Sequence, residues 1–280
     1  MKIINTGFLF FFLFTIHWII AQDTLHINRG SFFISPYEVH KISINNSINF
    51  EKENAIYEVA VNGNLGIVFH NNDTVIHTLT SPLINDVILQ PNQYITINVS
   101  NISFGTHLLW LKESVGEFLG AGLIVKSGIP NQNSYVWDLW DQSPDLAEDM
   151  YNGIEHEIPA VYRPTFFSIN GGVDPMDMMA GAMVMGNVGD SIYISITNSG
   201  NMIHPLHFHG YHVEIIQSTL APNSIGWSKD SFPVFVKDAM TVLLVPHQPG
   251  DFPVHNHNLV ATLFNNGYPL GMATMLMIQP

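Results

Sequence analysis

The chain has no cysteine among its 280 residues. That excludes disulfides, zinc–thiolate sites, cysteine nucleophiles and every blue-copper centre, all of which need a thiolate. Charge is also scarce. Charged residues make up 11% of the chain against 46% hydrophobic, so a substantial core is affordable and disorder is not expected. Positive charge is scarcest: 9 Lys and Arg face 23 Asp and Glu, for a net charge of -14. Nucleic-acid partners need clustered Lys and Arg and are excluded. The acidic balance reads as solubility and would not repel metal cations. Few segments show helical periodicity, and there is no G-x-S-x-G elbow, P-loop or dinucleotide fingerprint.

Long apolar runs are confined to the beginning. Lys2 precedes an apolar stretch from Gly7 to Ala21 broken only by Thr15 and His17, and polar sequence follows at once. This is a signal-peptide pattern with cleavage after Ala21, and the run is short for a membrane anchor. The expectation is a signal peptide over 1–21, export to a secreted or periplasmic location, and no membrane contact after cleavage. Asn-x-Ser/Thr sequons such as that at Asn72 matter only in a source that glycosylates.

What is present in abundance is short, β-branched, alternating sequence. "KISINNSINF", "LGIVFHNN", "QYITINVS" and "GAGLIVKSG" read as strands in the first half, "GDSIYISITNSG", "HGYHVEIIQ", "DAMTVLLVPHQPG" and "LGMATMLMIQP" in the second. Their spacing, with Gly, Pro and Asn between them, predicts an all-β chain of sandwiches or Greek-key barrels. The halves echo each other. Each has a strand ending near Asn, a histidine-containing stretch, a Pro-marked strand and a closing strand, which suggests duplication. Between them, 129–160 is acidic and aromatic and reads as an irregular connector packed through Trp137 and Trp140. The expected organisation is 22–128, a connector over 129–160, and 161–280.

Histidine is concentrated in two places, "HPLHFHG" (His204–Gly210) and "VHNHN" around His255 and His257. Residues i and i+2 share a strand face. His207 and His209 therefore project together, as do His255 and His257. On neighbouring strands the four imidazoles would converge, and neutral imidazole suits copper, zinc, iron and nickel. His204, three residues before His207, falls on the opposite face, as does Asn256. The lone histidines His26, His40, His156 and His247 read as half-buried residues with a hydrogen bond. "MDMMAGAMVM" reads as adaptable core packing, although soft thioethers also bind Cu(I). "DLWDQSPDLAED" lacks the spacing of an EF-hand loop and reads as a solvated acidic stretch.

"HPLHFHG" resembles the H-P-x-H-x-H-G motif of the multicopper oxidases, the laccase-like enzymes. "YRPTFFSING" (Tyr162–Gly171) resembles the entry to that family's last cupredoxin domain, "KDAMTVLLVPHQPGDFPVHNHN" the approach to its H-C-H motif, and Gly271–Met272 its usual ending. The resemblance is strong over roughly 160–280 and weaker over 41–128, where "GTHLLWLKESVGEFLGAGLIV" is similar to the first domain's G-T-x-x-x-H-x-H segment. It implies two cupredoxin-like Greek-key β-sandwich domains, in agreement with the independent strand reading.

The resemblance also says what is missing. The cysteine of H-C-H, which ligates type 1 copper in the family, is Asn256 here. The second type 1 histidine falls at Ala261, and His204 alone remains of that set. The last domain's half of the trinuclear copper cluster corresponds to His207, His209, His255 and His257, all present. Of the first domain's two H-x-H pairs, "IHTL" keeps His77 but has Leu79, and "GTHLLWLK" has Trp110 and Lys112. His70 and His107 are off-pattern and read as structural. The expected metal residues are thus His207, His209, His255 and His257, with His204 and His77 as outlying members, and the expected cofactor is copper. Ordinary laccase turnover is not expected. The resemblance implies an exported copper-binding protein without type 1 copper, with a copper-dependent oxidoreductase acting on a small-molecule substrate as one reading. A non-catalytic binding or structural protein and a copper chaperone or storage protein are the alternatives. Two-domain relatives often form trimers with metals between subunits, so a homo-oligomer is a further expectation.

Overall fold

The computed structural model describes residues 23–112, 114–154, 162–176 and 181–280. The segment 1–21 expected as a signal peptide, His156 and the centre of the methionine run lie outside the described residues. No described helix is long and apolar enough to cross a membrane.

The strands form four sheets in two facing pairs. The first pair sets Tyr37–Asn45, Thr24–Ile34, Gly63–Asn71 and Tyr94–Ile102, in that spatial order, against Ile56–Val59, Gly122–Ser127, Gly105–Lys112, His77–Ser81 and Ile84–Leu89. The second sets Phe166–Ile169, Ser134–Gln142, Ile192–Asn198, Ala239–Leu244, Val213–Ser218 and Ser228–Lys229 against Val184–Asn187, Ala273–Gln279, Gly250–Asn256, His204–Phe208 and Ser231–Val234. One apolar core, including Leu25, Ile42, Phe69 and Leu123, fills the first sandwich. Another, including Trp137, Ile194, Phe208 and Leu276, fills the second. The all-β sandwich expectation therefore holds.

The strand orders of the two sandwiches correspond, except that Val213–Ser218 and Ser228–Lys229 extend the second without counterparts in the first. In each, the opening strand pairs in parallel with a later one (Thr24↔Val68; Ser134↔Tyr193), and a short strand pairs in parallel with the closing strand (Ile56↔Ile124; Val184↔Leu276). The likeness reaches individual bonds. Asn71 and Asn198 each end a strand. The amide of Asn71 donates to the carbonyls of Val75 and Leu89, and that of Asn198 to those of Met202 and Val234. Each side-chain oxygen accepts a backbone N–H two residues on, from Asp73 and Gly200, both at 3.0 Å.

The stretch read as an irregular connector differs from expectation. Ser134–Gln142 is a nine-residue strand of the second sandwich, and Pro144–Tyr151 is a helix. From Trp137 to Gln142 every residue of that strand is buried, so the alternation that marks a half-exposed strand is absent. Trp137 enters the second core and Trp140 a small cluster with Val39, Phe166 and Phe264.

Candidate metal centre

Two neighbouring strands build the centre. His204–Phe208 and Gly250–Asn256 pair antiparallel with Leu206 opposite Asn256, His207 opposite His255 and Phe208 opposite Val254. Alternation then sorts the side chains: Leu206, Phe208, Val254 and Asn256 are buried in the sandwich, while His207 and His255 lie on the outer face. The ladder continues past both strand ends. The His209 N–H donates to the Pro253 carbonyl at 3.0 Å, and the His257 N–H to that of Pro205 at 2.6 Å. This holds the second member of each H-x-H pair beside the first.

The four imidazoles converge. Ring centroids are 4.6 Å apart for His207–His209, 5.1 Å for His209–His255, 5.2 Å for His207–His257 and 5.8 Å for His207–His255. Their hydrogen bonds fix tautomers, because a carbonyl only accepts. His207 Nδ1 donates to the Asp230 carbonyl at 3.2 Å and also lies 2.7 Å from Ser231 Oγ. His255 Nδ1 donates to the Asn256 carbonyl at 3.0 Å. Both rings therefore present a bare Nε2, the arrangement that orients a metal-binding histidine. His255 Nε2 meets His209 Nε2 at 3.0 Å, so His209 donates there and its Nδ1 carries the lone pair. Partial burial, reinforced by the neighbouring rings of His207, His255 and His257, lowers the pKa of His209 and favours its neutral form. The donor set, ring nitrogen from four imidazoles, fits a copper ion. Among the described residues, however, no three His, Asp or Glu side chains are already disposed around one metal-sized point. The His209–His255 bond explains this in part, since it turns two ring nitrogens toward each other.

The inner face carries a different assembly. His204 and Asn256 are 1% and 0% exposed. The Asn256 amide donates to His204 Nδ1 at 2.9 Å and lies 3.2 Å from Met272 Sδ, while its oxygen accepts the Asn258 N–H at 2.8 Å. His204 Nε2 donates to Asp141 Oδ2 at 2.9 Å. The same Oδ2 accepts the backbone N–H groups of Asn201 and Met202, at 2.9 and 3.0 Å. Both nitrogens of His204 are thus engaged by protein. Asn256 points away from the quartet and is hydrogen-bonded, as alternation along its strand requires. Asp141, Asp230 and Ser231 were not legible as site residues. Asp141 arrives from the stretch taken as a connector, and no local spacing links the other two to a histidine.

His77 lies elsewhere. It is 3% exposed in the first sandwich, with Nε2 2.9 Å from Asp73 Oδ2. Strand pairing gives its equivalent. His77 pairs with Leu89 as His204 pairs with Val234, and Thr80 pairs with Trp110 as His207 pairs with His255. His77 is therefore the counterpart of His204, not of an H-x-H ligand, and Thr80 stands in the place of His207. Counting from His77 in steps of two fixed the wrong starting point, which only the cross-strand partner reveals. Trp110 and Lys112 do stand where His255 and His257 would be. Five other histidines have local partners: His26 and His70 share a 2.9 Å contact, His107 donates to the Ser103 carbonyl at 2.9 Å, His40 stacks on Tyr151, and His247 meets the edge of Tyr211. In the methionine run, Met183 is buried while Met176 and Met185 are exposed.

Comparisons with known proteins bear on the fold and the family. Residues 152–267 match the family model described as Multicopper oxidase. The multicopper oxidase MmcO of Mycobacterium tuberculosis (strain ATCC 25618 / H37Rv) is 33% identical over 89 residues, which span 32% of this chain and 16% of that protein. The chain thus matches a small part of this relative's length. Among solved structures, the blue copper oxidase from Nitrosomonas europaea superposes with a TM-score of 0.74 at 16% identity, covering 91% of this chain and 85% of that one. The copper nitrite reductase from the same organism gives 0.68 at 16% identity over 92% and 93%. The laccase from Botrytis aclada gives 0.68 at 12% identity over 91% and 52%. At these identities the structural likeness speaks for a shared cupredoxin-like fold.

Proposed function

We propose that this chain, a member of the multicopper oxidase superfamily, is an exported copper-binding protein that holds its metal on His207, His209, His255 and His257 and has no type 1 copper. One observation carries the reading. Four imidazoles share the outer face of two paired strands, and two of them present a bare Nε2 because carbonyls engage Nδ1. A copper ion held there would supply a one-electron redox couple. The protein's own part is to fix the direction of the His207 and His255 rings through the Asp230 and Asn256 carbonyls and the Ser231 hydroxyl.

The inner face supports the second half of the proposal. Asp141 and Asn256 engage both nitrogens of His204 where the resemblance places the blue site. In this reading His204 and His77 are hydrogen-bonded core residues and not ligands. The protein then binds copper without ordinary laccase turnover. The quartet is half-exposed, so further ligands would come from a small molecule or from another copy of the chain.

Metal analysis with electron paramagnetic resonance tests this. Copper-loaded protein is expected to show bound Cu(II) without the intense visible band of a copper–thiolate bond. His207→Ala with His257→Ala is expected to abolish tight binding, and His26→Ala to leave it intact. Unchanged copper affinity in a folded double variant would overturn the ligand assignment.

A further inference from the structure

A second polar feature lies away from the quartet, where the two sandwiches meet. A cleft of about 310 Å3 opens there, walled by Ile56, Ile124, Tyr135 and Val136. Two side chains of this cleft stand without the partners their chemistry calls for. Lys41, on the strand Tyr37–Asn45, is 2% exposed and lines the cleft. Among the described residues its Nζ has no hydrogen-bond or ion-pair partner; it lies over the ring of Trp140, 5.0 Å from the centroid. Ser134 Oγ, in the same wall, is buried and also unpartnered. The nearby carboxylate of Asp138 is already committed, with one oxygen accepting from Thr197 at 2.9 Å and the other from Asn54 at 3.0 Å.

A buried ammonium without an acceptor is costly, and a neutral amine relieves that cost. Burial accordingly lowers the pKa of Lys41, although the charges of Asp138 and Glu53 work against the shift. An uncharged amine is a nucleophile toward carbonyl carbon. The cleft's remaining character selects among carbonyl compounds. Ile56, Ile124, Val136 and the ring of Tyr135 give it an apolar side, which suits a small ring. Asp138 and Glu53 line it alongside Lys41, so an anionic ligand would meet two carboxylates.

We infer that this cleft is a carbonyl-binding site in which the Lys41 amine condenses with a small, uncharged aromatic aldehyde. Nζ forms a bond to the carbonyl carbon, and the carbonyl oxygen leaves as water with the two protons the amine gives up. A C=N bond replaces C=O, and no electrons are gained or lost. Ser134 Oγ supplies a hydrogen bond to the departing oxygen. The site is independent of copper and of the histidine quartet.

Metal-free protein incubated with benzaldehyde and cyanoborohydride, then digested for mass mapping, tests the assignment. Lys41 is expected to carry the benzyl adduct before the half-buried Lys52 and the exposed Lys112 and Lys229 do. Lys41→Met is expected to lose that early adduct while the surface lysines react as before. Ile56→Trp, which places a large ring at the half-exposed lip of the cleft, is expected to slow labelling of Lys41 alone, and it keeps the test usable if the Lys41 variant fails to fold. Labelling of the surface lysines with Lys41 spared overturns the proposal, as does unchanged Lys41 labelling in Ile56→Trp.

Discussion

One oxygen of Asp73 holds both a histidine and an arginine. Its Oδ2 accepts from Arg29 Nε and Nη2, at 3.0 and 2.8 Å, and lies 2.9 Å from His77 Nε2. Burial alone would raise this carboxyl, but the bonds from His77 and Arg29 outweigh it and bring the pKa from 3.8 down to about 2. The folded value lies below the unfolded one. The carboxylate therefore stabilises the fold fully above the unfolded value, and that contribution is lost as pH falls from 3.8 through about 2. Asp73→Asn is expected to cost about 3–5 kcal/mol near neutral pH, as breaking a buried pair does. Urea denaturation across the acid range is expected to show the gap to wild type narrowing in that window. A gap independent of pH would remove the carboxylate from the explanation. Residue identity was informative where chemistry is local and deceptive where it is not. The outward quartet follows from i, i+2 spacing alone. The role of His77 does not, because Asp73 and Leu89, which define it, are set by the fold of a whole sandwich.

At the level of elements, the quartet depends on the turn that follows His209. Gly210 has φ 75°, and a Cβ there would run into the Phe252 ring, which sits on the partner strand. Gly210→Ala is expected to cost about 1 kcal/mol or more and to weaken copper binding, since it strains the link between His209 and the strand bearing His255. Gly153, at φ 85° with open space around it, is the control: Gly153→Ala carries similar backbone strain and is expected to leave copper affinity unchanged. Calorimetric titration distinguishes them, and equal copper affinities for the two variants would detach the turn from the centre. Strands with one wet face, such as Tyr94–Ile102, alternate clearly in the sequence. Ser134–Gln142 does not, because from Trp137 onward it is covered on both faces. Asp141, the anchor of His204, was hidden with it.

The two sandwiches are tied together by more than a linker. Thr106 Oγ1 meets Thr241 Oγ1 at 2.8 Å, Gln142 donates to the His40 carbonyl at 2.6 Å, and buried Lys237 bridges the Ser199 and Glu117 carbonyls. The molecule is therefore expected to melt in one cooperative transition, with equal van't Hoff and calorimetric enthalpies. Copper at a hundredfold excess over its dissociation constant should stabilise it by about 2.7 kcal/mol. Two separate transitions, with copper moving only the second, would mean that these ties do not couple the halves. The closing strand adds a constraint of timing. Val184–Asn187 and the flank of Gly250–Asn256 both pair with Ala273–Gln279, and His255 itself lies opposite Ala273. As the chain leaves the ribosome, the imidazoles of one half of the centre emerge long before the strand that braces the other. On the proposed ligand assignment, a nascent chain would have histidines but no centre, and copper would bind only once synthesis had passed Gln279.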